Sequence, residues 1–216
     1  TRGVPLREMG AARALVWLVL SYIDVRRKGL SVWGTHRTLL AARGIVGSLA
    51  LICVYYALMT LPLAEATLLQ YMHPMFTALL GLLLLKEGIQ RSTVICILFS
   101  ITGLIVMVEP GVFTGAAPAL PSLGVAVALL GAFGSAVAYV LVRRLRLEED
   151  ASVIIFYFPL VALPLSVAIL GDQFVMPDGQ SLVLLLMVGI FTQIGQLGLT
   201  HAMRYGTAGK TAAYSY

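Results

Sequence analysis

The chain has 216 residues, of which 59% are apolar and only 12% charged. A soluble domain of that length needs a far more polar surface, which excludes that class at the outset. The net charge of +5 would point to nucleic acid in a soluble protein, but here the basic residues sit at the ends of apolar segments and form no continuous face with interleaved aromatics, so no nucleic-acid partner is expected.

Seven mostly apolar stretches follow one another, each near the ~20 residues with which a helix crosses a ~30 Å hydrocarbon core. The predicted spans cover residues 8–23, 38–59, 65–85, 92–108, 122–142, 151–170 and 181–203. The expected fold class is all-α: a polytopic helical membrane protein whose solvent is the lipid bilayer. Cys53 and Cys96 lie inside apolar segments, where they act as small hydrophobes and imply no disulfide framework.

The charges orient the spans. Of 15 Lys and Arg, 11 fall on one side: Arg26, Arg27, Lys28, Arg37, Lys86, Arg91, Arg143, Arg144, Arg146, Arg204 and Lys210. Arg2 and Arg7 precede the first span on the other side, whose later loops carry only Glu65, Glu109, Asp172 and Asp178. Basic loops stay in the cytoplasm. Residue 1 is therefore expected outside and residue 216 inside, in a plasma or inner membrane. Turns rich in Pro and Gly, near residues 109–111, 118–121 and 177–179, are all placed outside, and the first is the expected join between two halves, 1–110 and 111–216. With neither an initiator Met nor a polar tail after Tyr216, the chain reads as a piece of a longer protein.

A faint internal echo supports the division. Around Leu61-Pro62-Leu63-Ala64-Glu65 the chain leaves one span, turns tightly and enters the next; around Tyr205-Gly206-Thr207-Ala208-Gly209 it does so again, with Ala57 matching Ala202 and Tyr71 matching Tyr216. The first turn follows the second span and the other follows the seventh, which puts equivalent turns on opposite faces. That is the arithmetic of an inverted repeat, and in secondary transporters such repeats build a central site.

The segment Tyr55-Tyr56-Ala57-Leu58 through Leu61-Pro62-Leu63-Ala64-Glu65-Ala66-Thr67, then His73-Pro74, Phe76-Thr77-Ala78-Leu79-Leu80 and Leu85-Lys86-Glu87, resembles the EamA-type drug/metabolite transporter superfamily. Thr102-Gly103-Leu104-Ile105-Val106-Met107 is similar to the end of that family's next helix. The resemblance implies ten helices in two inverted halves, of which this chain would hold the second to the eighth. It also implies a carrier, by analogy an exporter, working by alternating access.

The span at 65–85 is the richest in chemistry, since Thr67, Gln70, His73, Pro74 and Thr77 cluster there. Pro74 has no N–H for the carbonyl of Gln70, which predicts a kink and leaves that oxygen for a neighbouring helix, water or a solute. His73 beside it is read as a solute-facing or proton-carrying group, or else as a bond between two helices. Glu65 opens the same helix, as an interfacial acid at the positive end of the dipole or as a coupling site for a proton.

In the seventh span Gly189, Gln193, Gln196 and Thr200 form one polar stripe, suited to a solute or to interhelical hydrogen bonds. Gly124, Ala128, Gly131, Ser135 and Ala138 form a small-residue stripe for close packing, with Ser135 and Tyr139 as candidate pocket groups. Pro159 and Pro164 are candidate hinges with Pro74, and Tyr157 can point inward. Arg13 and Arg43 are read as anchors whose side chains reach outward to the interface, or as partners for a substrate carboxylate.

No His-Glu-x-x-His, Gly-x-Ser-x-Gly or phosphate-cradling Gly-x-x-x-x-Gly-Lys motif occurs, so neither enzyme chemistry nor a metal or cofactor is expected. The expected function is transport of small polar metabolites or amphipathic drugs, driven by a coupling proton, a counter-substrate or the solute's own gradient. Gln70, His73, Gln193 and Gln196 are expected to face a shared central pocket. A non-transporting scaffold and a seven-helix receptor are the alternatives. Substrate identity, direction, coupling ion and the formation of a homodimer are not specified by these residues.

Overall fold

The computed structural model describes residues 6–88, 91–108, 120–170 and 179–213. Its described elements, all helical, are α1 (Leu6–Arg27), α2 (Arg37–Thr60), α3 (Leu63–Gln70), α4 (His73–Leu85), α5 (Arg91–Val108), α6 (Ser122–Leu145), α7 (Ala151–Leu170), α8 (Gly179–Tyr205) and α9 (Ala208–Ala213). The predicted turns at 109–111 and 177–178, together with Pro118, Arg2, Glu109, Asp172 and Asp178, lie outside the described residues. Arg37–Thr60, Leu63–Leu85 and Ser122–Leu145 are long and apolar enough to cross a membrane, and Thr93–Met107 and Ala151–Leu165 are shorter apolar helical stretches. Large apolar side chains such as Leu83 (71%) and Phe99 (74%) are exposed, as a lipid solvent allows and water does not. The protein is a polytopic helical membrane protein.

Six predicted spans appear as single helices with ends within a few residues of expectation, and the third does not. α3 stops at Gln70, the chain turns through Tyr71 and Met72, and α4 restarts at His73 with Pro74 in its first turn. There the missing N–H of proline breaks no bond within α4, and what it leaves without an N–H is the carbonyl of Gln70 at the end of α3. The expected kink is thus a break between two helices. Before it, Tyr71 N–H still reaches Thr67 O at 3.0 Å and Met72 N–H reaches Leu69 O at 3.1 Å. α7, by contrast, runs through Pro159 and Pro164 without ending.

The chain forms two compact units, Thr1–Ser48 with Val142–Tyr205 and Leu49–Leu141 with Gly206–Tyr216. In the first, α1 packs on α7 and α8, and α7 packs on α8. Gly44 makes room for α7: a Cβ there would stand 2.9 Å from the Tyr157 carbonyl oxygen. Charged residues tie the helix ends together. Glu149 accepts the N–H groups of Thr35 and His36 at 2.5 and 2.7 Å, just ahead of α2, and Arg146 donates to the Glu149 carbonyl at 2.7 Å. Arg143 donates to the carbonyls of Met203 and Arg204 at the end of α8, where acceptors lack helical partners. Lys28 lies 3.8 Å from Asp150, whose carboxylate also accepts the Ser152 N–H. Burial pushes the Asp150 carboxyl up, but the Ser152 hydrogen bonds and the Lys28 and Arg146 charges outweigh it and hold it below the ordinary value of 3.8.

In the second unit Ala57, Leu61, Ala66, Leu69, Val125 and Ala128 form a buried cluster. The small residues of α6 let it approach α2 closely, since a Cβ on Gly131 would lie 3.1 Å from Cys53 Cβ and one on Gly134 3.0 Å from Ala50 Cβ. α9 packs on α4. Glu87, just after the left-handed Lys86 that ends α4, accepts the Ala208 N–H at 2.8 Å and pins the start of α9. The paired turns expected from sequence are present: α2 ends at Thr60 and α8 at Tyr205, α3 starts at Leu63 and α9 at Ala208, so both pairs are offset by 145 residues (205 − 60 and 208 − 63).

Candidate functional site

Four predicted residues of the second unit meet around the break between α3 and α4. Gln70 Nε2 lies 3.1 Å from Ser135 Oγ on α6, and Ser135 in turn donates to Gly131 O at 2.9 Å. That hydroxyl has one proton, so with it spent on Gly131 the serine must accept from Gln70. The amide orientation follows: Nε2 faces Ser135, and Oε1 is left buried without a hydrogen-bond partner. His73 Nδ1 lies 3.1 Å from Gln70 O. A carbonyl only accepts, so the proton sits on Nδ1. The same ring meets Tyr139 edge-on at 5.1 Å.

The oxygen that Pro74 was expected to leave for a neighbour, water or solute is therefore taken by the adjacent imidazole. Thr77 is buried and donates to His73 O at 2.7 Å, a bond within α4 that uses its only proton. Glu65 stands in the first turn of α3, half-buried, and its Oε2 is buried without a hydrogen-bond partner.

The other predicted residues belong to the first unit. Gln193 is buried and its Oε1 accepts from Ser21 Oγ at 3.0 Å, while its Nε2 has no partner. Gly189 and Thr200 of the same stripe are buried and Gln196 is half-buried, so the stripe faces protein. Tyr157 donates its hydroxyl proton to Trp33 O at 3.0 Å, joining α7 to the loop ahead of α2. Pro159 is buried and Pro164 exposed. Sequence reasoning missed Ser21 and Ser48. Each is one hydroxyl in an apolar helix, where only the identity of the facing side chain reveals a role.

Arg43 departs from the anchor reading. Its guanidinium does not reach back toward the start of α2: a Cβ on Gly47, one turn further into the helix, would lie 2.6 Å from Arg43 Nη1. The residue is 5% exposed, and its guanidinium carbon sits 4.7 Å from the Phe158 ring centroid. Burial is possible here because the aromatic face offsets part of the lost hydration.

Buried polar side chains beside a broken helix in an otherwise apolar bundle are the material from which membrane transporters build their solute sites. Residues 6–109 match the EamA-like transporter family. Over 214 residues the chain is 30% identical to the pseudopaline exporter CntI of Pseudomonas aeruginosa, an alignment covering 99% of this chain and 74% of that protein. It is 29% identical to solute carrier family 35 member G1 of Homo sapiens, over 90% of this chain and 56% of that one. It is also 30% identical to an uncharacterized transporter of Helicobacter pylori, over 94% and 68%. One crystal structure superposes with a TM-score of 0.76 at 21% identity, covering all of this chain and 75% of its own, which shows a shared fold. The chain belongs to the EamA-like transporter family, and its function is membrane transport of small molecules.

Proposed function

We propose that the chain serves as an exporter of small polar metabolites, working by alternating access of two inverted halves in a plasma or inner membrane, with residue 1 outside and residue 216 in the cytoplasm. The observation that carries the site is Gln70 Oε1, a buried acceptor held in one orientation by Ser135 and left with no protein donor. An orphaned buried acceptor costs about 1–3 kcal/mol, and a solute N–H or O–H recovers it. His73 and Tyr139 supply an aromatic wall beside that oxygen. Glu65, with a buried carboxylate oxygen that no donor satisfies, suits a group that takes up and releases a coupling proton. The pairing of turns at a constant offset supports the inverted halves. The name of the Pseudomonas relative supports export as the direction.

The test uses the full-length protein in inside-out proteoliposomes. Accumulation of pseudopaline, and of a panel of amino acids and nucleosides, is measured for wild type and for Gln70→Ala. The expected result is saturable uptake of at least one solute, with KM raised roughly tenfold in the variant, the worth of one buried hydrogen bond. Uptake of no panel member would remove the transport assignment for these solutes, and unchanged kinetics in Gln70→Ala would remove this residue from the site.

A further inference from the structure

The first unit gathers its charge at one end, which its hydrogen bonds define. Arg143 of α6 donates to the carbonyls of Met203 and Arg204 where α8 stops. Glu149, ahead of α7, accepts the N–H groups of Thr35 and His36 ahead of α2, and Ser152 in the first turn of α7 donates to Asp24 near the end of α1. Within residues 26–37, 143–146 and 204, eight Lys and Arg stand at this end against four acids, Asp24, Glu148, Glu149 and Asp150. The acids are already engaged: Asp24 and Asp150 with Lys28, Glu148 with His36, and Glu149 with the two backbone groups just named. Arg26, Arg27, Arg37, Arg144 and Arg204 are exposed and have no acidic partner among the described residues.

Three of these five lie over an aromatic ring. The guanidinium of Arg26 is 5.8 Å from the Tyr22 ring centroid, that of Arg37 is 5.9 Å from Trp33, and that of Arg204 is 6.0 Å from Tyr205. The rings are themselves exposed, Trp33 at 59% and Tyr205 at 84%. Two are held from beneath by α7, since Tyr22 meets Phe156 at 6.2 Å and the Trp33 carbonyl accepts the Tyr157 hydroxyl.

We propose that this end of the first unit binds the headgroups of anionic phospholipids, with Arg26, Arg37 and Arg204 on the phosphates and Tyr22, Trp33 and Tyr205 beside them. A guanidinium can hold a phosphate through two parallel N–H donors while it stacks on a ring. Tyr and Trp favour the depth at which lipid tails meet headgroups, and an excess of cations at that depth attracts anionic lipid. A soluble anion would reward the cations alone, whereas the rings match a ligand with an apolar boundary. The site depends on the membrane fold and not on the transport reading.

Full-length protein in detergent is titrated with dioleoyl-phosphatidylglycerol or, as the zwitterionic control, dioleoyl-phosphatidylcholine, and bound lipid is counted by native mass spectrometry. Phosphatidylglycerol is expected to bind more tightly, and its affinity to fall with added salt. Arg26→Gln/Arg37→Gln should lose roughly fivefold in affinity per arginine. Tyr22→Leu/Trp33→Leu leaves the charge intact and should weaken phosphatidylglycerol binding as well. Lys86→Gln/Lys210→Gln removes the same charge from the second unit and should change little. All six side chains are exposed, which keeps folding out of the comparison. Equal affinity for the two lipids, full affinity in either of the first two variants, or an equal loss in the lysine variant would overturn the proposal. Displacement of the lipid by inorganic phosphate at constant ionic strength would also overturn it, by making this a site for free anions.

Discussion

His73 and Gln70 are joined by a bond that Pro74 makes necessary: the proline withholds the N–H that would have met Gln70 O, and the imidazole Nδ1 of the residue before it takes that oxygen at 3.1 Å. A break in a membrane helix thereby keeps its exposed acceptor satisfied, as lipid requires. His73→Ala is expected to destabilise the full-length protein by about 1–2 kcal/mol, the cost of a buried acceptor left alone. In a Pro74→Ala background the penalty should shrink, because an alanine N–H at position 74 can take over the oxygen. Unfolding by denaturing detergent across the four-member cycle measures this, and an undiminished penalty in the double variant would show that the ring stabilises by some other contact.

Ser135 fixes the Gln70 amide by accepting from Nε2 while donating to Gly131 O. Ser135→Ala should cost about 1–3 kcal/mol by stranding a buried donor, and it frees the amide to rotate. The double variant Gln70→Ala/Ser135→Ala should cost less than the sum of the two single changes, since the second substitution removes the group the first one stranded. Strict additivity in the same unfolding assay would contradict the pairing.

The helices and their order were legible because ~20-residue apolar runs and basic loops are strong one-dimensional signals. So was the small-residue face of α6: Gly131 and Ser135 predicted close packing, and α2 lies against that face. What sequence could not settle was where each polar atom's partner lay. Pro74 announced a free carbonyl, but only the rotamer of His73 determines that the oxygen is taken within the same chain segment. Tyr157 looked like a pocket residue because it adjoins Pro159, yet its hydroxyl is spent on Trp33 O, a contact 124 positions away. Arg43 was open to two readings, an anchor reaching outward or a partner for a carboxylate, and Gly47, which gives its guanidinium room deeper along α2, carries no instruction in the sequence that decides between them. Ser21 and Ser48 have no pattern at all.

Gly209 and Gly198 give a contrast in packing. A Cβ on Gly209 would lie 2.6 Å from Ala78 Cβ and 2.8 Å from Ala78 Cα, so the neighbour that must move is backbone, while a Cβ on Gly198 would meet nothing within 4 Å. Gly209→Ala should therefore destabilise by about 1–3 kcal/mol or more through forced separation of α9 from α4. Gly198→Ala should be neutral or stabilise by up to about 1 kcal/mol through helix propensity. Thermal unfolding of the two full-length variants separates the cases, and a tolerated Gly209→Ala would mean that α9 and α4 do not pack this closely.

Asp150 gives the pH dependence. Its folded-state carboxyl is held below the ordinary value of 3.8, with the Ser152 hydrogen bonds and the Lys28 and Arg146 charges outweighing the effect of burial. A depressed acid binds fewer protons folded than unfolded, so it adds stability above its unfolded value, and that contribution disappears as the pH falls through 3.8 and on through the lower folded value. Asp150→Asn keeps the shape and removes the charge. The gap between wild-type and variant midpoints should be open at pH 7 and narrow toward pH 3, as the Asp150 carboxyl takes up its proton. Because the Lys28 pair is partly exposed, added salt at pH 7 should narrow it as well. A gap that is the same at both pH values would mean that the hydrogen-bonding shape of the side chain, and not its charge, ties α7 to the loop before it.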